Sequence, residues 1–305
     1  MTLSALLPAL DLAAPGVDET GRGDAGVLVL GGDREEHLFG PVRPAGRSGA
    51  FTLVQSDTWL LGTATVPLDP GLEESSSRLY AGMLQAARGW HLARVWNYVP
   101  AINAPGPAGL ENYRVFCQGR SRAFEHHHGD AFNSRLPAAS AVGCVGAALT
   151  VAFAACATRP RHVENPLQIP AYDYPGEHGP RAPSFARATV VAGAGTATVF
   201  ISGTAAIRGH ATIAPGELRP QLECTVGNLR AISEACGLGS ELDAGGGSAR
   251  RFKVYVRHEA DQPQVAAFLQ ASSLVGGDQI TYLQADICRA PLLVEIEASL
   301  FGVKA

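Results

Sequence analysis

The sequence lacks the features that mark nucleic-acid-binding, membrane and secreted proteins. Charged residues make up only 17% of its 305 residues, the net charge is −4, and lysine and arginine form no run, which excludes an extended basic surface. The longest clean apolar run, near residues 149–157, is too short to span a bilayer. The first residues are apolar and acidic, so they do not predict a signal peptide. We therefore expect a cytoplasmic protein that binds neither nucleic acid nor membrane.

Metal and cofactor motifs are also missing. Six cysteines lie in apolar segments without a Cys-x-x-Cys pair, which predicts reduced thiols rather than disulfides or a zinc site. His126, His127 and His128 are adjacent and offer no i, i+4 pair, so they cannot all face one ion from a helix. The glycines at 245–247 follow no strand and open no helix, unlike a phosphate loop. The sequence therefore predicts neither a metal nor a cofactor.

The sequence does contain a repeated pattern: the same order of predicted strands and helices occurs in both halves. In each half a strand-like run with a Gly-Thr-Ala signature is followed by a helix, a strand, a second helix and a final strand. These segments are residues 51–66, 77–90, 91–99, 110–125 and 140–155, then 197–207, 217–236, 250–258, 263–274 and 285–300. A proline-rich link over 159–185 separates them. We predict an α+β fold of two similar units, 1–158 and 159–305, each a mixed sheet with helices on one face.

The last strand carries two carboxylates, Glu295 and Glu297, among residues typical of a core. Because side chains alternate along a strand, both lie on one face. Aligning Cys144 to within one residue of Cys288 places the alanine-rich residues 152–155 opposite residues 295–298. The fold thus has a copy of this strand without carboxylates. Either the face is solvated, or a buried carboxyl with a raised pKa serves as a general acid while its neighbour holds an arginine.

Candidates for binding an anion lie on the second helix and in the link. Tyr113 and Arg120 fall on one helical face, where the arginine either snorkels or holds a carboxylate at two points. Arg187 precedes the strand that leads into Gly-Thr-Ala, and it either binds substrate or forms a structural ion pair. Tyr172 lies in the proline-rich link, where it either packs or donates a hydrogen bond to a substrate carboxylate.

Two family resemblances rest on longer motifs. ISGTAAI, NLRAISEACG, FKVYV and VEIEA, in the second half, resemble the reactive intermediate deaminase family. The whole chain resembles a narrower group, the chorismatase family, through WNYVPAIN (96–103), ENYRVFCQGRSRAF (111–124), PRAPSFARA (180–188), FISGTAAIRGH (200–210) and CRAPLLVEIEA (288–298). Together these motifs cover most of residues 50–300. The resemblance implies two deaminase-like units, the second carrying the catalytic glutamate.

The chorismatase resemblance implies an activity and roles for residues. Members remove the enolpyruvyl group of chorismate as pyruvate, without metal or redox cofactor, and the first glutamate of VEIE, Glu295 here, is the acid. Cys288 and Gly203 resemble the branch that makes 3-hydroxybenzoate. The branch that hydrolyses chorismate to a dihydroxycyclohexadiene carboxylate has alanine-like residues there, and a third group releases both 3- and 4-hydroxybenzoate. Since chorismate is a dianion, we expect Arg120, Tyr113, Arg187 and Tyr172 to bind it.

Two other function classes stay open from the sequence. One is imine hydrolysis by the deaminase family, but that family keeps an arginine upstream of the first glutamate, where residues 280–282 provide none. The other is a non-catalytic module that binds a small aromatic acid, against which the Cys288 and Glu295 pattern argues. Deaminases form trimers, and a duplicated chain can mimic part of a trimer, so we expect either a homotrimer or a monomer.

Overall fold

The computed structural model describes residues 27–31, 39, 42–243, 246–272 and 278–304. The N-terminal segment, on which the expectation of no signal peptide rests, and Gly245 lie outside the described residues. In the first half, an initial short strand that pairs with the second sheet is followed by six strands and two helices. In chain order they are β1 (Leu28–Gly31), β2 (Arg43–Ser48), β3 (Phe51–Gln55), β4 (Trp59–Pro67), α1 (Leu72–Ala86), β5 (His91–Pro100), α2 (Asn112–His128), β6 (Ala138–Cys144) and β7 (Ala148–Cys156).

The second half repeats this order of elements after a link with two short 3₁₀ turns, Ala171–Asp173 and Gly176–His178. Its elements are β8 (Arg161–Val163), β9 (Ala188–Ala192), β10 (Thr196–Thr204), β11 (Ile207–Arg208), β12 (Ala211–Thr212), α3 (Leu218–Cys236), β13 (Ala249–Val256), α4 (Gln262–Gln270), β14 (Gln279–Gln284) and β15 (Val294–Lys304). Within the described residues no helix is both long and apolar enough to cross a membrane.

The strands form two large mixed sheets, in the orders β2-β3-β4-β7-β5-β6 and β1-β14-β13-β15-β10-β9-β8. Each contains one parallel pair, β5 with β6 and β13 with β14, and its remaining pairs are antiparallel. The predicted α+β fold of two similar units is therefore confirmed. Strand β1 comes from the first half but pairs with β14 in the second sheet, and the domain boundary near residue 158 stays a prediction.

The helices and the sheet faces explain where the core lies. Helices α1 and α2 cover one face of the first sheet, and α3 and α4 cover one face of the second, each burying a large apolar cluster. The uncovered faces of the two sheets meet in a third cluster, to which Trp96 and Tyr98 contribute from the first sheet and Tyr255 and Leu283 from the second. The centre of these inner faces is therefore buried between the two units.

Several predicted segments differ from the structure, and the helix predicted over 77–90 is observed earlier, at Leu72–Ala86. Residues 140–155 form two strands rather than one, because Gly146 turns the chain with a φ of 106°. Residues 285–300 are not strand throughout: β14 ends at Gln284 and β15 begins at Val294, so the intervening nine residues form a connection. Strand β14 itself was not predicted. The predicted helix over 263–274 is shorter, since α4 ends at Gln270, and residues 273–277 lie outside the described residues.

The alignment of Cys144 with Cys288 is wrong for the same reason. Cys144 ends β6, whereas Cys288 lies in the connection after β14, and only three residues join β6 to β7. If Tyr98 and Tyr255 are equivalent, strand pairing places Thr150 where the second unit has Glu295. The first unit still lacks the carboxylate, so the duplicated fold does not require one at this position.

Candidate active site

The opposite faces of β15 have different surroundings. Val294, Ile296 and Ala298 pack in the cluster under α3. Glu295 and Glu297 point the other way, between the sheets, and each is only 3% exposed. The interpretation of a solvated strand face is therefore wrong, because the face of β15 that would meet water is covered by the first unit.

Glu297 is held as a carboxylate by donors from both sheets. Arg94 lies 2.6 Å from its Oε2, and Lys253 lies 3.5 Å from its Oε1. Three further side chains donate hydrogen bonds to this carboxylate: the hydroxyl of Ser140 at 2.6 Å, the indole N–H of Trp96 at 2.8 Å and the hydroxyl of Tyr255 at 3.1 Å. Burial alone would raise the pKa of Glu297, but Arg94, Lys253 and the hydrogen bonds from Ser140 and Trp96 lower it. Glu297 is the carboxylate that holds an arginine.

Glu295, two residues away, has the opposite protonation behaviour. Its Oε1 is buried and has no hydrogen-bond partner among the described residues. Burial, and then the negative charge of Glu297, raise the pKa of Glu295 to about 8, with Arg94 and Arg187 opposing that rise. A carboxyl with this pKa keeps its proton at neutral pH. The strand therefore holds a neutral acid beside a charged carboxylate.

Gly203 makes room for this acid. It lies at the end of β10, next to β15, where the register of the strand pairing shifts between Ile201 and Thr204. A Cβ at position 203 would overlap Oε1 of Glu295 and crowd Ser140. The carboxyl of Glu295 can occupy its observed position only because residue 203 has no side chain.

A cavity of about 390 Å³ opens in front of Glu295, between the two units. Helix α2 and strand β6 line it from the first unit, and β10, the link and the β14–β15 connection line it from the second. Six of the seven residues predicted for the site border this cavity: Tyr113, Arg120, Arg187, Gly203, Cys288 and Glu295. The fold thus brings together residues that lie up to 182 positions apart in the sequence (113 to 295).

Two of these residues are buried arginines without a carboxylate partner. Arg120 is 1% exposed and Arg187 is 6% exposed. Neither forms an ion pair with any described residue, and the Nε atom of each has no hydrogen-bond partner there. The ring of Phe185 lies between them, 5.9 Å from the guanidinium of Arg120 and 5.0 Å from that of Arg187. A buried cation without a counterion is costly, so the cavity is suited to an anionic ligand.

Cys288, which borders the cavity, has a neutral thiol. Burial, reinforced by Glu295, raises the pKa of Cys288 to about 12. Burial also raises the pKa of Cys117, on α2, and of Tyr113. None of these groups is an anion at neutral pH. Cys288 therefore shapes the cavity wall and offers a weak S–H donor rather than a thiolate nucleophile.

The structure places Tyr172 elsewhere. The 3₁₀ turn Ala171–Asp173 directs this residue toward a second cleft, where it packs against the core of the first unit. Tyr174, two residues later, borders the cavity instead, and its hydroxyl accepts a hydrogen bond of 2.7 Å from Arg187. Sequence reasoning missed Tyr174, Phe185 and Arg289. The only signal for them was their place within or beside the quoted motifs.

Comparison with known proteins identifies the family to which this chain belongs. Residues 39–155 match the profile described as chorismatase FkbO/Hyg5-like, N-terminal. The chain is 34% identical to 3-hydroxybenzoate synthase of Streptomyces hygroscopicus, over 83% of this chain and 76% of that protein. It is 36% identical to chorismatase of Streptomyces rapamycinicus, over 86% of this chain and 80% of that protein. A crystal structure of a chorismatase, 33% identical, matches with a TM-score of 0.77 over 85% and 80% of the two chains. The chain belongs to the chorismatase family.

Proposed function

We propose that this protein converts chorismate into 3-hydroxybenzoate and pyruvate, with Glu295 as the general acid. The names of its relatives, 3-hydroxybenzoate synthase and chorismatase, support the substrate and the product. The observation that carries the mechanism is a buried carboxyl, neutral at neutral pH, at a cavity with two unpaired buried arginines. The six free cysteines support a location in the reducing cytoplasm.

The first step uses the proton of Glu295. The enol ether of chorismate has a nucleophilic terminal methylene carbon, and proton transfer to it forms a C–H bond as the O–H bond of Glu295 breaks. The product is an oxocarbenium ion beside a newly formed carboxylate. Because water is largely excluded from this face of β15, attraction between these charges favours the transition state. The fixed charge of Glu297 keeps Glu295 protonated before the step.

The second step releases pyruvate. The oxygen of the neighbouring ring hydroxyl bonds to the ring carbon that carries the ether and loses its proton. The ring C–O bond breaks, and its electron pair stays with the departing oxygen, which becomes the ketone of pyruvate. The resulting epoxide opens as its oxygen regains a proton, and a ring hydrogen leaves as a proton to give the aromatic ring. One proton is consumed at the methylene and one is returned from the ring, so no water is used.

The two carboxylates of chorismate need cationic partners in the cavity. We assign Arg120 and Arg187 to this role, since each is buried, charged and without an ion pair among the described residues. The guanidinium groups can each form two parallel hydrogen bonds with a carboxylate. Tyr113 and Tyr174 border the same cavity, and their hydroxyl groups can donate further hydrogen bonds. Burial raises the pKa of Tyr113, so its hydroxyl keeps its proton at neutral pH.

Incubation of the purified protein with chorismate, followed by chromatographic separation of the products, tests the proposed function. We expect equal amounts of pyruvate and 3-hydroxybenzoate. A dihydroxycyclohexadiene carboxylate instead would show that water traps the cation and would overturn the assignment of Cys288 and Gly203 to the hydroxybenzoate branch. A mixture with 4-hydroxybenzoate would show that the epoxide opens in both directions. Intact chorismate would overturn the activity and favour imine hydrolysis or simple binding of an aromatic acid.

The rate of this reaction is expected to fall with rising pH. Glu295 must carry its proton when chorismate binds, and its pKa is raised to about 8 by burial and by Glu297. The value of kcat/KM should therefore be level below that pKa and fall about tenfold per pH unit above it. Pyruvate release across the pH range measures this profile. A rate that falls below about pH 5 and stays level above it would instead indicate an essential carboxylate.

Gly203→Ala is expected to lower kcat by about a hundredfold. The added Cβ would force the carboxyl of Glu295 away from its position. Displacement of a catalytic group by about 1 Å can lower the rate on this scale. Gly82→Ala is the matched control. Its Cβ would make only ordinary contact with Phe51 from within helix α1, so kcat should be unchanged. Steady-state pyruvate release measures both. Equal activity of the two variants would refute the steric role of Gly203.

A further inference from the structure

A cluster of metal-ligating atoms lies at the mouth of the cavity. The Nε2 atom of His178 and the Nδ1 atom of His210 are 3.0 Å apart. Oε1 of Glu177 lies 3.4 Å from the first nitrogen and 3.2 Å from the second. Among the described residues these three form a group whose potential ligand atoms all lie within 4.8 Å of one another. Among the described residues, His126, His127 and His128 at the end of α2 do not form such a group.

The spacing of these atoms matches one face of a zinc coordination sphere. Zn²⁺ binds imidazole nitrogen and carboxylate oxygen at about 2.0–2.1 Å, so neighbouring ligands of a tetrahedral ion lie about 3.3 Å apart. The three observed separations, 3.0, 3.2 and 3.4 Å, bracket this value. We propose that Glu177, His178 and His210 bind one Zn²⁺ ion, with the fourth coordination position left to water or to a carboxylate.

The ligands come from two segments that border the cavity. Glu177 and His178 lie in the 3₁₀ turn Gly176–His178, and His210 lies in the turn between β11 and β12. Arg289 connects the second turn to the β14–β15 connection by donating a 2.8 Å hydrogen bond to the carbonyl of His210. A Zn²⁺ ion would therefore crosslink the link to the β11–β12 hairpin at the mouth of the cavity. The inference does not depend on which substrate the cavity takes.

Zinc titration of the chelator-treated, full-length protein tests the site. Calorimetry should show one Zn²⁺ ion per chain, and zinc at about a hundred times its Kd should raise Tm by about 5 °C. His210→Ala should lose both signals, while its Tm without zinc should stay that of wild type, because this side chain is partly exposed in a turn. His178→Ala should behave in the same way.

His127→Ala controls for zinc bound by the three adjacent histidines at the end of α2. It should keep the stoichiometry, the affinity and the rise in Tm of the wild-type protein. Loss of zinc binding in His127→Ala with retention in His210→Ala would place the ion on α2 and overturn the proposal. Absence of zinc uptake by the wild-type protein would overturn it as well. Because the readouts are binding and Tm, a failed chorismate assay leaves this test intact.

Discussion

Replacing Glu295 by glutamine is expected to lower kcat for chorismate cleavage by about a thousandfold, since general acids contribute on this scale. Glutamine has the size and shape of the neutral carboxylic acid, but its amide cannot protonate the methylene carbon. The Oε1 of Glu295 makes no hydrogen bond within the described residues, so the substitution breaks none at that atom. We therefore expect Tm to be unchanged. Pyruvate release and thermal unfolding of the same preparation measure both effects.

The control for this variant is Glu223→Gln. Glu223 is exposed on α3, where it pairs with Arg219, and it does not border the cavity. Its replacement should leave kcat and KM at wild-type values. Glu295→Gln activity within tenfold of wild type would contradict the acid role. A large fall in Tm would instead assign the loss of activity to misfolding.

The second large effect is expected from Arg187→Met, which should raise KM for chorismate by about 10- to 100-fold. A hydrogen-bonded pair with a charged partner contributes about 1.5–3 kcal/mol, which corresponds to that range. Since Arg187 lowers the pKa of Glu295, its removal should raise that pKa further and keep the acid protonated. The value of kcat at saturation should therefore fall much less than kcat/KM. Steady-state kinetics separates the two parameters.

Two further variants make this prediction specific. Arg187→Lys keeps the charge but loses the planar fork, so its KM should lie between those of wild type and Arg187→Met. Arg122→Met removes an exposed arginine that pairs with Glu73 and Glu74 away from the cavity, so its KM should be unchanged. An Arg187→Met protein with wild-type KM would refute the role of this arginine in binding. Equal KM values for Arg187→Lys and Arg187→Met would show that a positive charge at residue 187 does not contribute to chorismate binding.

The parts of the fold that follow local rules could be predicted from the sequence. Helix α3 was predicted within a residue of its observed start, because its apolar stripe is regular and Gly237 ends it with a φ of 87°. The two carboxylates of β15 were predicted to share a face because strand alternation requires it. Of the seven predicted site residues, the six within the family motifs border one cavity, and Tyr172, in the link, does not.

Other parts depend on contacts between distant segments, which no local pattern encodes. Strand β1 pairs with β14, some 250 residues later in the chain, so its place in the second sheet has no sequence signal. The partner of Glu297 is Arg94, 203 positions away. Which of Tyr172 and Tyr174 borders the cavity depends on the 3₁₀ turn Ala171–Asp173. The sequence of this proline-rich link does not predict which of its two tyrosines the turn directs there.

The error in the duplication has a physical cause. The connection between β14 and β15 is longer than its counterpart between β6 and β7, and Cys288 lies within this additional length. An alignment on cysteines therefore joined residues that are not equivalent. If Tyr98 and Tyr255 are equivalent, strand pairing, which fixes register through hydrogen bonds, gives Thr150 as the counterpart of Glu295. The second unit thus has an acid and a longer connection that the first unit lacks.

Opposite protonation states of Glu295 and Glu297 are the basis of the proposed chemistry, and infrared difference spectroscopy measures them directly. Spectra of wild-type and Glu295→Gln proteins between about pH 6 and about pH 10 isolate this one carboxyl from others, such as Glu164, that also titrate near neutrality. We predict that the wild-type protein has a carboxylic-acid C=O band that the variant lacks, and that this band disappears with a midpoint near the pKa of about 8. Identical carboxylic-acid bands in the two proteins at neutral pH would show that Glu295 is already ionised and would contradict its role as the acid.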